Sequence, residues 1–318
     1  MLYSFAEIEP FLREAMAAKL EKIASPAPGA KIDLYLRSLF AGDKRSFLSC
    51  KGNGKTAAAE LHPLAWDSTI YGLEIGSIGF FFAEEGISFN QHVELAAEVK
   101  ELAGQRGLRL VIARAELSDG HWIRALETVG FRLMDVQASL VWRSGVAPPN
   151  TPSTGVEIRD YRPDDFGAIG PFASEAFSQS HLYSDQRLPL EQTDRLHQEW
   201  IRNDCAGRAS FVLVAVEQGS VVGFVAGLSD SAKEEWLGLA QGHIDLIAVD
   251  PQKRKGGMGR ALMHEALMRY KGRDVAYVSV STQATNLSAI KLYQGLGFQL
   301  NDFAVTLHAW IDSPAEAG

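Results

Sequence analysis

Residues 250–262 read DPQKRKGGMGRAL and follow directly on the apolar run Ile244, Leu246, Ile247, Ala248, Val249. An apolar run of this length reads as a buried strand, and Ala261, Leu262, Ala266 and Leu267 behind the glycines repeat at helical spacing. Strand, glycine-rich loop and helix in that order form an anion site, because loop N–H groups and the helix N-terminus point at one phosphate-sized spot. The alternative is a tight turn with a solvated basic face. The loop lacks the closing Gly-Lys-Ser/Thr of a nucleotide-hydrolysing P-loop, and Gly256, Gly257 and Gly259 do not make GxGxxG.

The chain has 318 residues, 46% hydrophobic and 22% charged, enough for two ordinary globular domains. A net charge of −8 argues against nucleic acid as a partner, since neutralising many phosphates calls for a basic surplus. Bases crowded at 253–260 therefore mark a site. Cys50 and Cys205, one in each half, give neither a disulfide framework nor a metal cluster, so no metal is expected. The N-terminal MLYSFAEIEPFLREAMAAKLEKI reads as an amphipathic helix, not a signal peptide. No stretch approaches the roughly 20 apolar residues that span a bilayer. The expectation is a cytoplasmic protein with no membrane partner.

Ser144 to Gly155, SGVAPPNTPSTG, is a linker by its proline, glycine and small polar content. The halves it separates share a tail: GFRLMDVQASL from Gly130 echoes GFQLNDFAVTL from Gly297, an offset of 297 − 130 = 167 residues. An internal repeat implies two related folds. In each copy a short helix leads to a Gly-Phe turn and a strand of alternating apolar residues, Leu133, Val136, Leu140 and Leu300, Val305, Leu307. The first copy, with a strand at 108–113 and a helix at 90–103, has no glycine-rich loop. Asp119 stands where the second has Asn286, and Leu126 where it has Tyr293. The first half reads as a degenerate repeat that kept its packing and lost its chemistry.

Arg254-Lys255-Gly256-Gly257-Met258-Gly259, followed by Arg260, resembles the Q/R-x-x-G-x-G/A loop of the GCN5-related N-acetyltransferase (GNAT) family. The second half runs in that family's order: strand 156–159, two helices, strands 211–217 and 221–228, the strand before the loop, its helix, a strand at 275–280 and a last helix and strand. The resemblance implies an α/β fold of tandem GNAT-like domains, each a mixed, mostly antiparallel sheet flanked by helices. Residues 1–147 would form the degenerate half, 148–154 the linker and 155–318 the catalytic half. It implies acetyl-CoA as acyl donor, its pyrophosphate on the amides of residues 254–260. Its pantetheine would pair with backbone at Ile247 and Val249.

TNLSAIKLYQGLGF, 285–298, is similar to the family's second motif, in which the residue matching Asn286 touches pantetheine and that matching Tyr293 nears the thioester sulfur. A phenol, with an ordinary pKa near 10, is protonated at neutral pH, so Tyr293 is the candidate general acid. The plainer alternatives are a helix cap and a core aromatic. Regular alternation puts His243 and Asp245 on the face of Ile247 and Val249, His243 as candidate base and Asp245 to orient an ammonium. Both also read as ordinary polar strand residues.

HPLAWDSTIYG at 62–72, LETVGF at 126–131, EAFSQSHLYSD at 175–185, EWIRN at 199–203 and VSTQATNLSAIKLY at 280–293 resemble, in that order, the acetyltransferases of dTDP-4-amino-4,6-dideoxygalactose (dTDP-fucosamine). The phosphate loop and His243 depart from that subgroup. The resemblance implies a small amine acceptor, the 4-amino group of a sugar nucleotide, with His181 and Arg187 assisting its charge and Tyr183 and Gln283 its hydroxyls. The alternatives are another small amine, a peptide N-terminus, or a non-catalytic acyl-CoA-binding protein. A homodimer is compatible with all of them.

Overall fold

The computed structural model describes residues 45–52, 54–149 and 155–312, with Leu2–Tyr3, Glu9–Pro10, Arg13 and Leu36. Most of the expected N-terminal helix and residues 150–154 of the expected linker lie outside the described residues.

The first half runs β1 (Leu2–Tyr3), β2 (Ser46–Gly52), β3 (Lys55–Pro63), α1 (Ala65–Tyr71), β4 (Ile75–Ala83), α2 (Phe89–Gln105), β5 (Leu110–Glu116), α3 (Gly120–Thr128) and β6 (Arg132–Arg143). The second runs β7 (Glu157–Asp160), α4 (Phe166–Ala176), α5 (His181–Ser184), α6 (Leu190–Asn203), β8 (Phe211–Glu217), β9 (Ser220–Ser229), α7 (Ser231–Leu237), β10 (Gln241–Val249), α8 (Met258–Lys271), β11 (Tyr277–Gln283), α9 (Leu287–Gln294) and β12 (Gln299–Trp310). Helices and strands thus recur in the order the repeat implies.

The expectation of one sheet per half needs one correction. The described strands form one 12-stranded sheet in the order β1-β2-β3-β4-β5-β12-β6-β11-β10-β9-β8-β7. Each half gives its last strand to the other: β12 lies against β5, and β6 lies against β11. The two exchanged strands pair antiparallel at the centre, through Leu140↔Leu300, Ala138↔Phe303 and Val136↔Val305. Among the described strands, only β4/β5 and β10/β11 pair in parallel.

Packing follows the exchange. Val305, Leu307 and Ala309 of β12 complete the first-half core under α2 and α3, with Trp122, Phe131 and Val111. Ala138, Leu140 and Trp142 of β6 complete the second-half core under α8, with Leu262, Tyr270 and Tyr293. The opposite face of the sheet carries α4 on one side, and α1, α5 and α6 over the centre. Tyr71 of α1 meets Thr193 of α6 by a hydrogen bond of 2.9 Å, so helices of the two halves also touch. Bulges interrupt the β6/β12 ladder between Leu300 and Asp302 and between Thr306 and Leu307. Leu133 and Leu300, expected on the apolar side, are both exposed beside these irregularities.

Because Trp142 is fully buried in a core built by the other half, Trp142→Ala should destabilise the whole protein by about 3–5 kcal/mol, the scale for emptying a large aromatic site. Denaturant unfolding should show one transition shifted as a unit. A second-half signal left unshifted would contradict the shared core.

Candidate functional site

The glycine-rich loop opens a helix N-terminus and leaves it uncapped. A short turn at Pro251–Lys253 is held by Asp250, whose carboxylate accepts from the Gln252 N–H. Lys255 (φ 70°) and Gly257 (φ 82°) then take left-handed conformations, and Gly257 is the N-cap of α8. Glycine has no side chain to bond the first amides of the helix, so they and the positive end of the dipole face outward. The corresponding helix of the first half is closed: Ser88 accepts from the Gln91 N–H, and Gln91 Oε1 accepts from the Ser88 N–H at 2.9 Å. One N-terminus is left open, and the other satisfies itself.

The side chains of the loop divide. Arg254 donates to the Val249 carbonyl at 3.3 Å and Arg260 to the Gly295 carbonyl at 3.0 Å, tying the loop to β10 and α8 to the end of α9. Met258 is buried in the core. A side chain at Gly259 would meet Leu292 at 3.4 Å, ordinary contact.

Beside the loop the sheet opens. The parallel ladder of β10 and β11 ends at Ile244↔Val280, although both strands run on. Backbone from Asp245 to Val249 thus faces β9 on one side and a cleft on the other. A bulge between Ile244 and Leu246 corrects the expected alternation. Ile244, Ile247 and Val249 pack on the α8 face, whereas Leu246 and Ala248 pack on the α4 face. The extra residue turns His243 and Asp245 to that second face, away from Ile247 and Val249. Asn286 caps the start of α9, and Tyr293 lies on that helix in the core shared with α8. The Tyr293 ring is 3% exposed and packs on Phe298, and burial pushes its phenol up, which keeps it protonated. Asn286 is the N-cap, accepting from the Ala289 N–H and donating to Thr282.

His243 is bonded to Ser279 at 2.9 Å, and burial lowers its imidazole pKa. Asp245 accepts from Trp200 Nε1 at 2.7 Å and from Arg208. Arg208 also sits 2.6 Å from Asp204, a buried residue of the tight turn after α6. Burial, and then the charge of Asp245, push the Asp204 carboxyl up to about 8. Two carboxyl groups in one enclosed place do not both ionise readily, so the pair holds a proton near neutrality. Asp204 and Arg208 carry no motif in sequence, and Trp200 stands in EWIRN without a role that its motif discloses. They surface only when the turn after α6 is folded against the bulge.

The residues expected to meet the acceptor enter internal networks. His308 of β12 donates from Nδ1 to Asp185 at 2.7 Å, Trp310 Nε1 donates to the same oxygen, and His181 lies 2.8 Å from His308 Nε2. Burial, with His308 and Arg114 nearby, holds the His181 pKa well below its usual range. Tyr183 donates to Asp194 at 2.6 Å and stacks on His197. Arg187 lies 4.2 Å over the Trp310 ring and pairs with Asp312 at the exposed edge. Gln283 of β11 pairs with Gln137 of β6.

Beneath His181 the centre of the sheet is polar. On the face opposite α2, α3 and α8 stand Arg114, His308, Thr306, Asp135, Gln137, Ser139, Ser281 and Gln283. Among the described residues, both carboxylate oxygens of Asp135 and the hydroxyl of Thr306 are buried without a partner, each group costing about 1–3 kcal/mol when left so. No group of His, Cys, Asp or Glu among the described residues is arranged to hold a metal, and no described helix is long and apolar enough to cross a membrane.

Residues 173–298 match the acetyltransferase (GNAT) family. The spore coat polysaccharide biosynthesis protein SpsD of Bacillus subtilis is 29% identical over 154 residues, 48% of this chain and 50% of that protein. The mycothiol acetyltransferase of Acidothermus cellulolyticus is 30% identical over 162 residues, 48% of this chain and 47% of that protein. The chain thus spans about half the length of these curated relatives. Among solved structures, a GCN5-related N-acetyltransferase from Sphaerobacter thermophilus superposes with a TM-score of 0.63 at 19% identity, over 96% of this chain and 94% of that one. A tandem GNAT protein from the clavulanic acid biosynthesis pathway gives 0.56 at 14% identity, over 98% of each. At these identities the likeness is one of fold, and it extends over both halves: the architecture is a tandem GNAT fold.

An acid whose pKa is raised in the fold holds its proton more tightly there than unfolded. Its contribution is fully present below about pH 4, the ordinary carboxyl value, and is lost as pH rises towards about 8. The melting temperature should therefore fall more steeply from pH 5 to pH 8 in the parent protein than in Asp204→Asn. Parallel curves would mean that Asp204 is ionised throughout.

Proposed function

We propose that this chain is an acetyl-CoA-dependent N-acetyltransferase whose second half carries the chemistry, and that its acceptor is the 4-amino group of a dTDP-linked amino-deoxy sugar. The observation that carries the coenzyme reading is the cleft between β10 and β11 with the uncapped N-terminus of α8 at its mouth. The first half keeps a parallel pair, β4/β5, whose ladder ends at Ile78↔Ala113, but its helix is self-capped and Leu126 replaces the tyrosine. One coenzyme site per chain follows.

In this reading the amides of residues 256–260 hold the pyrophosphate, and the unpaired edge of β10 at Ile247 and Val249 pairs with the pantetheine amides as a neighbouring strand would. The amine enters from the opposite face, where His243 and the Asp204–Asp245 pair are the groups able to take its proton. Nitrogen attacks the thioester carbonyl, the C–S bond breaks, and Tyr293 O–H protonates the departing sulfur. The sugar acceptor is supported by the motifs spread over both halves and by the polar floor of the cleft. The likeness to SpsD, whose name refers to polysaccharide synthesis, agrees with it.

Purified protein with acetyl-CoA should release CoA in the presence of a dTDP-4-amino-4,6-dideoxyhexose and add one acetyl group to the sugar by mass spectrometry. Tyr293→Phe should lower that turnover by about 10²-fold with coenzyme affinity nearly intact. Turnover within about twofold of the parent would make Tyr293 a packing residue. Efficient acetylation of a thiol-sugar amine or a peptide N-terminus, with sugar nucleotides inert, would replace the acceptor assignment.

A further inference from the structure

Arg114, Thr306 and Asp135 stand directly opposite one another across β5, β12 and β6: Arg114 pairs with Thr306, and Thr306 with Asp135. Directly opposed residues share a face, here the one under His181. Arg114 and Asp135 come from the first half, while Thr306 arrives on the exchanged strand. Thr306 is 0% exposed with its hydroxyl unpartnered, and the Asp135 carboxylate is unpartnered as well. Arg114 is exposed to solvent, so its guanidinium can be reached from outside.

The repeat supplies an internal control. Adding 167 converts Asp135, Ser139 and Arg114 into Asp302, Thr306 and Ser281, and a second row, Asp302↔Ser139↔Ser281, crosses the sheet on the same face. That row has no cation, and Asp302 already accepts from the Phe303 N–H at 2.7 Å. Only the row headed by Arg114 combines a guanidinium, an unpartnered hydroxyl and an unpartnered carboxylate.

We infer that the first half provides the anchoring subsite for the acceptor, with Arg114 holding a phosphate of a glycosyl phosphate and Thr306 and Asp135 taking sugar hydroxyls. This rests on the sugar-acceptor reading and extends it. Asp135 needs a donor and would repel a bare anion, so the ligand must carry hydroxyls and a negative group apart. Two strand spacings, about 9–10 Å, separate the ends of the row, a span that a sugar hydroxyl and a phosphate beyond the anomeric carbon can bridge. The guanidinium binds phosphate through two parallel N–H donors, which a lysine cannot reproduce.

The test is calorimetry on full-length protein saturated with CoA, so that the pyrophosphate loop is already filled, titrated with dTDP. Saturable binding should weaken about tenfold or more in Arg114→Gln, with CoA affinity and melting temperature unchanged. Thymidine, which lacks the phosphates, should not distinguish the two proteins. Thr306→Val should raise the KM for the amino sugar nucleotide with kcat little altered. Absence of dTDP binding to the CoA-saturated protein, or equal binding by Arg114→Gln, overturns the subsite. Binding of dTDP through Arg114 without acetylation of any sugar nucleotide leaves the subsite standing and overturns the sugar-acetyltransferase reading instead.

Discussion

The antiparallel pairing of β6 with β12 is the contact on which the rest of the molecule depends. Without it each half is a sheet missing a central strand, with Val111 and Trp122 on one side and Leu262 and Tyr270 on the other short of a wall. Because backbone donors in the middle of a sheet have no solvent to fall back on, an unfilled gap there is costlier than a frayed edge. Exchange fills both gaps at once. It also makes a continuous floor from two repeats that gene duplication alone would leave side by side.

The first half contributes to that floor as fully as the second. The first half has closed its own helix N-terminus with Ser88 and Gln91 and replaced the motif tyrosine by Leu126. It nonetheless sends Asp135, Gln137 and Ser139 into the centre of the sheet and brings Trp66 edge-on to Trp200, 6.4 Å between ring centroids, where Trp200 steadies Asp245. Packing has been kept on one face and polarity on the other.

Much of this was legible in sequence because it is local. The glycines, the apolar run before them and the cap at Asn286 each act within a few residues, and the repeat is visible by eye. What the sequence hides is non-local or irregular. Alternation along 243–249 reads as regular, and only the bulge beyond Ile244 sends Asp245 to the face of Leu246 and Ala248. Asp204 and Arg208 sit in a mixed polar stretch and Arg114 reads as one charge in an apolar strand, and their partners are 41 residues away for Asp204 and Asp245 and on the other half for Arg114 and Thr306. Exchange itself has no local signature: the same two strands could close their own halves with unchanged composition.

Hydrogen–deuterium exchange on the full-length protein tests the exchanged sheet most directly, since amides in one cooperative unit open with one free energy. Peptides from β5, β12, β6 and β11 should share the same high protection and lose it together on adding denaturant. Protection of β11 that persists after β5 and β6 have opened would show two separately stable halves, and the account of a floor assembled from both would be wrong.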